Sequence, residues 1–447
     1  MTKRDTLVVT VLALVARLGV VAWAAGSFPP KADGEYYHLL AKRLATGQGY
    51  TWLWPDGVVT AAAHYPVGYP GLIAGAYMLF GAKPFVAMIV NALIGTAGAW
   101  AVHDLLRAAT SRRLAYAGGI VFALHPALVP YTAALMTEGV TASLLVLATA
   151  FAERAHRAEQ RRSTVNWLVL CGAMLGVATL VRPQSLVLAP VLGWLAMRGS
   201  VRAGLAGAIV ATVLSLGVCA PWTLRNCREM KKCALVSVNG GWNLAIGTQT
   251  RGGGWQEIVV PDACKEVFAE AAKDECFGRE AQRTIAGDPW GWLARAPAKL
   301  RVTFDYFGAA PWYLHVANAE RFPYRAKVAL GVIETLASRL LLIGALVSVR
   351  RLDGPRKLMR EAVTGVGLLA CFLEAGAMGY LACAIAILMV GPRELLRLPR
   401  IVPATAAVIV ATAVLHAVFF GAGRYGLVVV PFVTALAFVR PERASQA

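Results

Sequence analysis

Charge is scarce in this 447-residue chain: Asp, Glu, Lys and Arg make up only 15% of it, and the acids are the rarer kind, 25 against 44 Lys and Arg. Soluble domains spend about a quarter of their residues on charge. With 57% apolar residues and a mean hydropathy of +0.57, the deficit excludes a soluble globular protein. Apolar windows recur from end to end, the pattern of a polytopic α-helical membrane protein. They are continuous and lack ten-residue alternation, which excludes a transmembrane barrel. A P-loop, a Rossmann fingerprint and any other nucleotide-binding motif are missing as well. The net charge of +19 and pI near 9.9 suggest nucleic acid, but the basic residues form short clusters between apolar spans rather than one basic face. Internal repeats, low-complexity tracts and flexible linkers are lacking too, so one membrane domain over 1–447 is expected.

About twelve apolar stretches can be read, from 7–26 through 85–106, 135–152, 167–180, 204–220 and 326–349 to 402–420 and 426–439. Basic clusters occupy alternate connections: Lys3/Arg4, Arg107 to Arg113, Arg154 to Arg162, Arg198/Arg202, Arg350 to Arg360, Arg393 to Arg400 and Arg440/Arg443. The positive-inside rule makes that side cytoplasmic, with both termini inside and the protein in the cytoplasmic membrane. Ala22-Trp23-Ala24 mimics a signal-peptidase site, yet the near-membrane length of the first run favours an uncleaved helix. The stretch 362–390 reads as a tight hairpin, and Glu374 within it is an exception to the boundary placement of polar groups. Two long segments then face outward, 28–84 and 221–325, and together form an extracytoplasmic cap. Within the first, 70–80 is apolar but too short to span, and reads as a helix lying in the interface.

Of the eight cysteines, Cys171, Cys219, Cys371 and Cys383 lie in apolar stretches and read as inert small hydrophobes. Cys227, Cys233, Cys264 and Cys276 fall in the second outward segment, where an even number implies two disulfides. Three connectivities exist; the favoured one pairs Cys227 with Cys233 and Cys264 with Cys276. Their spacing does not match a zinc ribbon, and no histidine spacing singles out a metal site.

The polar residues worth following all lie at the outward boundary. Asp33 and Glu35 stand in Lys31-Ala-Asp-Gly-Glu-Tyr-Tyr-His38, just beyond the first apolar run. Taken alone, Asp33 reads as the N-cap of a helix starting at Gly34 or Glu35. His64-Tyr-Pro-Val-Gly-Tyr-Pro70, Met136-Thr-Glu138, Arg182-Pro183, Pro221-Trp-Thr-Leu-Arg-Asn226, Asn239-Gly-Gly-Trp-Asn243, His416 and Arg424-Tyr425 follow. Acids, arginines and aromatics drawn from the whole chain meet at one surface, which is how a site is assembled. Glu138 suits three roles there: orienting an acceptor, binding a metal, or hydrogen-bonding neighbouring helices. Arg182 and Arg424, with Arg225 a weaker candidate, suit bidentate phosphate binding as well as snorkelling to headgroups. Tyr36, Tyr37, His64, Tyr65, Trp242 and Tyr425 are candidates for substrate contact, and the aromatics among them also fit an interfacial belt.

This ordered set resembles the GT-C superfamily of polyprenyl-phosphate-sugar-dependent glycosyltransferases, in particular its protein O-mannosyltransferase branch and the related lipid A aminoarabinose transferases. The resemblance covers nearly the whole chain. It implies an all-α, GT-C-like membrane fold and an enzyme that moves one sugar, with inversion, from a polyprenyl-phosphate donor to a lipid, glycan or protein acceptor. It also implies a first-loop Asp as catalytic base, which maps onto Asp33; Gly34 interrupts the family's Asp-Glu pair, so Glu35 stays in contention. Membrane lipids are the expected surroundings, nucleic acid is not a partner, and a divalent metal is left open while a nucleotide is not expected. Two further readings fit the composition: a transporter or lipid flippase, and a polysaccharide polymerase or ligase.

Overall fold

The computed structural model describes residues 3–373 and 375–440; Glu374 and Arg443 lie outside them. Among the described residues six helices are long and apolar enough to cross a membrane: Lys3–Ala24, Pro84–Ala109, Arg161–Val181, Val201–Glu229, Tyr324–Arg350 and Ile401–Val418. The other apolar stretches fold as shorter or broken helices, and proline explains much of the breakage. Pro183 ends one helix and opens a 3-10 turn, and Pro190 and Pro431 sit in first turns, where a missing N–H costs nothing. The hairpin expected at 362–390 is present as Lys357–Cys371 and Gly376–Leu388 packed on each other. The chain is a multi-pass integral membrane protein.

Small residues let these helices approach. Ser215 Oγ donates to Gly172 O (2.9 Å) and Cys219 Sγ to Gly176 O (3.8 Å), zipping Val201–Glu229 onto Arg161–Val181. Cys171, Cys219, Cys371 and Cys383 are all buried free thiols. Arg17, costly inside an apolar helix, donates to Ala13 O (3.2 Å) and to Ala123 O (3.1 Å), the final carbonyl of Arg112–Ala123. Its partner is therefore structural. At one end of the bundle Asp104 accepts from Arg154 twice (2.8 and 2.9 Å), a forked pair in the region of the basic clusters.

At the other end the two long connecting segments pack together. The first holds helix Asp33–Ala45, helix Gly68–Phe80 and, against the all-α expectation, an antiparallel hairpin of β1 (Thr51–Leu53) and β2 (Val59–Ala61). The signal for it is there: Trp-Leu-Trp and Val-Val-Thr flank Pro55-Asp56-Gly57, and Asp56 Oδ1 accepts from Val58 N at 3.0 Å. Met78, Leu79 and Phe80 are at least 70% exposed at the end of Gly68–Phe80, apolar side chains presented as an interfacial helix presents them. The second segment holds Gly240–Gln249, Glu270–Gly287 and three shorter helices, with disulfides Cys227–Cys233 and Cys264–Cys276. Peptide mapping under non-reducing conditions is expected to recover those two pairs, with the other four cysteines alkylated only after denaturation; any crossed pair would contradict this arrangement.

Candidate active site

Four chain segments deliver four charges to one place. Asp33 is the first residue of Asp33–Ala45, Glu138 the first of Glu138–Arg157, Arg182 ends Arg161–Val181, and Arg424 lies in the turn Gly423–Gly426. Arg424 Nη1 reaches Asp33 Oδ2 at 2.8 Å, and its Nε lies 3.5 Å from Glu138 Oε1. Arg182 Nη1 donates to the same Glu138 Oε1 (2.8 Å) and to Thr137 Oγ1 (3.1 Å). Tyr131 OH donates to Glu138 Oε2 at 2.8 Å. Glu138 is only 1% exposed, and its two oxygens are taken by two guanidiniums and a phenol. That saturation is what a buried carboxylate requires.

Asp33 differs from Glu138 in being reachable, with its side chain 30% exposed. It makes no capping hydrogen bond; it lies inside the helix rather than before it, and Ala32, in the N-cap position, takes φ +52°. The N-cap reading is thus corrected: the carboxylate turns to Arg424, and Tyr65 OH approaches its other oxygen at 3.5 Å. Glu35 points elsewhere, half-exposed and paired with Lys31 at 3.2 Å. Gly34 has a packing reason. A Cβ there would lie 3.0 Å from Leu135 O and 3.1 Å from Tyr313 OH, so the glycine lets this helix start close to the strand of chain leading into Glu138. Gly68 does the same on the other flank, where a Cβ would lie 2.3 Å from Val181 N, next to Arg182.

Aromatic rings wall the cluster. Tyr36 stacks on Tyr65 (5.1 Å between centroids) and Tyr37 meets Tyr65 edge-on (5.3 Å). Burial first, then the charge of Asp33, raises both the Tyr37 and Tyr65 phenols above their ordinary value, so they stay protonated donors. Tyr425 lies under both guanidiniums, 4.8 Å from Arg182 and 5.2 Å from Arg424, and stacks on His416 at 4.4 Å. His64 and Trp242 stand behind this wall, ring to ring at 5.5 Å, with Trp242 against Phe277.

Arg225 is not brought to the cluster. Its guanidinium donates to Ala62 O (2.7 Å) and Tyr50 O (2.8 Å) and lies over Trp222, so it pins the first segment instead. Tyr131 and Gln184 belong to the site without any signal in the sequence; with its amide oxygen turned inward, Gln184 accepts from Arg182 Nε at 2.8 Å. From Arg182, His416 and Tyr425 a cavity of about 460 Å³ runs between residues 183–196 and Ile401–Val418, lined by Leu188, Val191 and Ala411. It is an apolar slot with a cation at its head. Among the described residues no group of three His, Cys, Asp or Glu is placed to hold a metal ion.

Two outcomes follow from this geometry. Glu138→Gln leaves two guanidiniums short of their shared anion and should cost about 3 kcal/mol, read as a lower thermal midpoint; an unchanged midpoint would contradict the saturated-carboxylate account. Burial lowers the His64 imidazole from 6.5 to about 4, with Asp33 pulling partly the other way. A base whose folded pKa lies below its unfolded one contributes stability that is complete above the unfolded value and is lost as pH falls towards the folded one. His64→Asn should therefore flatten the fall in thermal midpoint between pH 6.5 and about 4, and an unaltered slope would contradict a neutral buried imidazole.

Residues 64–224 match the family model described as dolichyl-phosphate-mannose-protein mannosyltransferase, a stretch that contains Glu138 and Arg182 but neither Asp33 nor Arg424. No curated protein matches by sequence. Among solved structures the chain is similar to the apo oligosaccharyltransferase of Archaeoglobus fulgidus, with TM-score 0.50 and 13% identity over 98% of this chain and 50% of that one. It is also similar to ArnT from Cupriavidus metallidurans bound to undecaprenyl phosphate, with TM-score 0.43 and 16% identity over 98% of this chain and 77% of that one. The chain thus spans about half the length of the archaeal oligosaccharyltransferase. Its fold is GT-C-like, and over residues 64–224 it carries the sequence pattern of the dolichyl-phosphate-mannose-protein mannosyltransferase family, the family its motifs resemble.

Proposed function

We propose that this chain is an integral-membrane glycosyltransferase that moves a single sugar from a polyprenyl-phosphate carrier to a hydroxyl of a lipid, glycan or protein acceptor outside the cytoplasmic membrane, with inversion. The observation that carries the reading is the charge chain Asp33–Arg424–Glu138–Arg182 at the head of the apolar slot. A polyprenyl tail needs an apolar groove, its phosphate needs cations at the groove's head, and the acceptor needs a base within reach. The three stand side by side.

In the proposed reaction Asp33 takes the proton of the acceptor hydroxyl as that oxygen attacks the anomeric carbon. The bond from that carbon to the phosphate oxygen breaks, and the leaving phosphate gathers negative charge. Arg182, already aimed by Glu138, Thr137 and Gln184, stabilises that charge, because a donor held in place needs no reorganisation at the moment of reaction. Arg424 has two calls on it. While it pairs with Asp33 it occupies one oxygen of that carboxylate; a donor phosphate that draws the guanidinium away frees that oxygen to meet the acceptor hydroxyl. Tyr36 and Tyr65 offer a ring platform for a sugar, and Glu138 acts by positioning both arginines.

The topology that goes with this reading has about twelve crossings, both termini in the cytoplasm, and a cap built from 28–84 and 221–325 over a site that faces outward. The convergence of Asp33, Glu138, Arg182 and Arg424 at one end supports it, as does the Asp104–Arg154 pair at the other. The reading is tested by mass spectrometry of envelope glycolipids and glycoproteins from cells with the wild-type chain, a deletion, and Arg182→Gln at matched expression. The deletion should lose one sugar from a defined molecule, and Arg182→Gln should slow its appearance by about 10²-fold or more. An unchanged profile in the deletion strain would remove the transferase reading.

A further inference from the structure

One carboxylate of the other connecting segment takes up the backbone N–H groups of the loop that carries His64 and Tyr65. Glu270 is the first residue of Glu270–Gly287, between the bridged Cys264 and Cys276. Its Oε2 accepts from the backbone N–H of Ala63 at 2.6 Å and of His64 at 3.1 Å, and its Oε1 accepts from Trp52 Nε1 at 2.8 Å. Three donors more than 200 residues away in sequence converge on it. Val238 N, donating to Ala63 O at 2.9 Å, and Arg225, donating to Ala62 O, hold the same short stretch from the same segment.

What those donors flank gives the contact its consequence. Tyr65 follows His64 directly, and its hydroxyl is the group facing Asp33 Oδ1. Trp52 meets the ring of Tyr36 edge-on at 5.9 Å and that of Tyr65 at 6.2 Å. The Glu270 carboxylate therefore grips both ends of the ring cluster, accepting from the backbone of Ala63 and His64 at one end and from the Trp52 indole at the other. A carboxylate with three N–H partners is the only side chain able to do this, since an amide in its place turns its own NH2 towards a donor.

We propose that Glu270 is a positioning residue: acting through Ala63, His64 and Trp52, it holds Tyr65 against Asp33, so that the disulfide-bonded segment sets the geometry of the base. The proposal rests on the reading of Asp33 as the base of a sugar transfer, and its test has one arm that does not. Purified full-length protein is compared as wild type, Glu270→Gln, Tyr65→Phe and the double variant, with polyprenyl-phosphate mannose as the donor probe. Glu270→Gln should lower kcat about 10- to 100-fold, the scale of a small misplacement of a catalytic group. The donor KM should stay within about twofold, because the change removes no donor contact. In the Tyr65→Phe background the same substitution should add less than about twofold, since the residue it acts through has already lost its hydroxyl. An equal loss in both backgrounds would overturn the proposal in favour of a purely structural contact.

Hydrogen exchange read by mass spectrometry is the independent arm. Glu270→Gln should speed exchange in peptides spanning 59–69 and leave those from Glu138–Arg157 unchanged; unchanged exchange over 59–69 overturns the proposal whether or not the protein transfers sugar. If wild type turns over no mannose donor while the exchange arm gives the expected result, mannose transfer fails as the reading of this site and the grip of Glu270 on the loop stands. Should Glu270→Gln not fold, Trp52→Phe removes one of the three bonds and is held to the same kcat and exchange criteria.

Discussion

A carboxylate 1% exposed at the mouth of a membrane bundle cannot stand alone, and much of the site follows from how Glu138 is satisfied. It starts a helix, where the free N–H groups already favour an anion. Arg182, Arg424 and Tyr131 come to it from three other parts of the chain, and each must be delivered by its backbone. Proline at 183 stops the helix that brings Arg182 at the required depth. Gly68 lets the first connecting segment lie on that same helix end, and Gly34 lets Asp33 come close to the approach of Glu138. Two acids and two guanidiniums leave the cluster formally neutral. An anion that enters it must therefore displace one of the existing pairings, and the more exposed Asp33–Arg424 contact is the one that can yield.

The slot and the rings extend the same logic into two different solvents. Below the arginines the lining is aliphatic, matched to a hydrocarbon tail; above them it is aromatic, with hydroxyls and indoles that tolerate water on one side. Tyr425 joins the two, its face under both guanidiniums and its back on His416. The parts that tune this boundary come from the second outward segment, 221–325. Arg225 and Glu270 both bind backbone of the first segment, one through carbonyls and one through N–H groups, so the second segment grips both polarities of the same short loop.

Much of this was legible in the sequence, and the limits are instructive. The apolar stretches, the even cysteines of 221–325 and the polar motifs at one boundary are local features, and local composition carries them. Asp33, Glu138, Arg182 and Arg424 stood out because an ion beside an apolar run is rare. Tyr131 and Gln184 did not, since a tyrosine or glutamine near a membrane boundary is ordinary until its partner is known. Arg225 looked like Arg182 in sequence, and only tertiary packing shows it occupied by the carbonyls of Tyr50 and Ala62. Asp33 looked like a helix cap because the same residue type serves both purposes; the direction of its carboxylate decides, and Arg424, 391 residues later, sets that direction. Glu270 sits in the most soluble-looking part of the chain, where an acid attracts no notice.

Of the two neighbouring acids, Asp33 is the proposed base, because it and not Glu35 is held in the charge chain. The direct measurement is turnover of polyprenyl-phosphate mannose by purified Asp33→Asn and Glu35→Gln side by side. Asp33→Asn should lose about 10²- to 10⁴-fold in rate, while Glu35→Gln, which gives up only a surface pair with Lys31, should stay within about twofold of wild type. An active Asp33→Asn beside an inactive Glu35→Gln would contradict it.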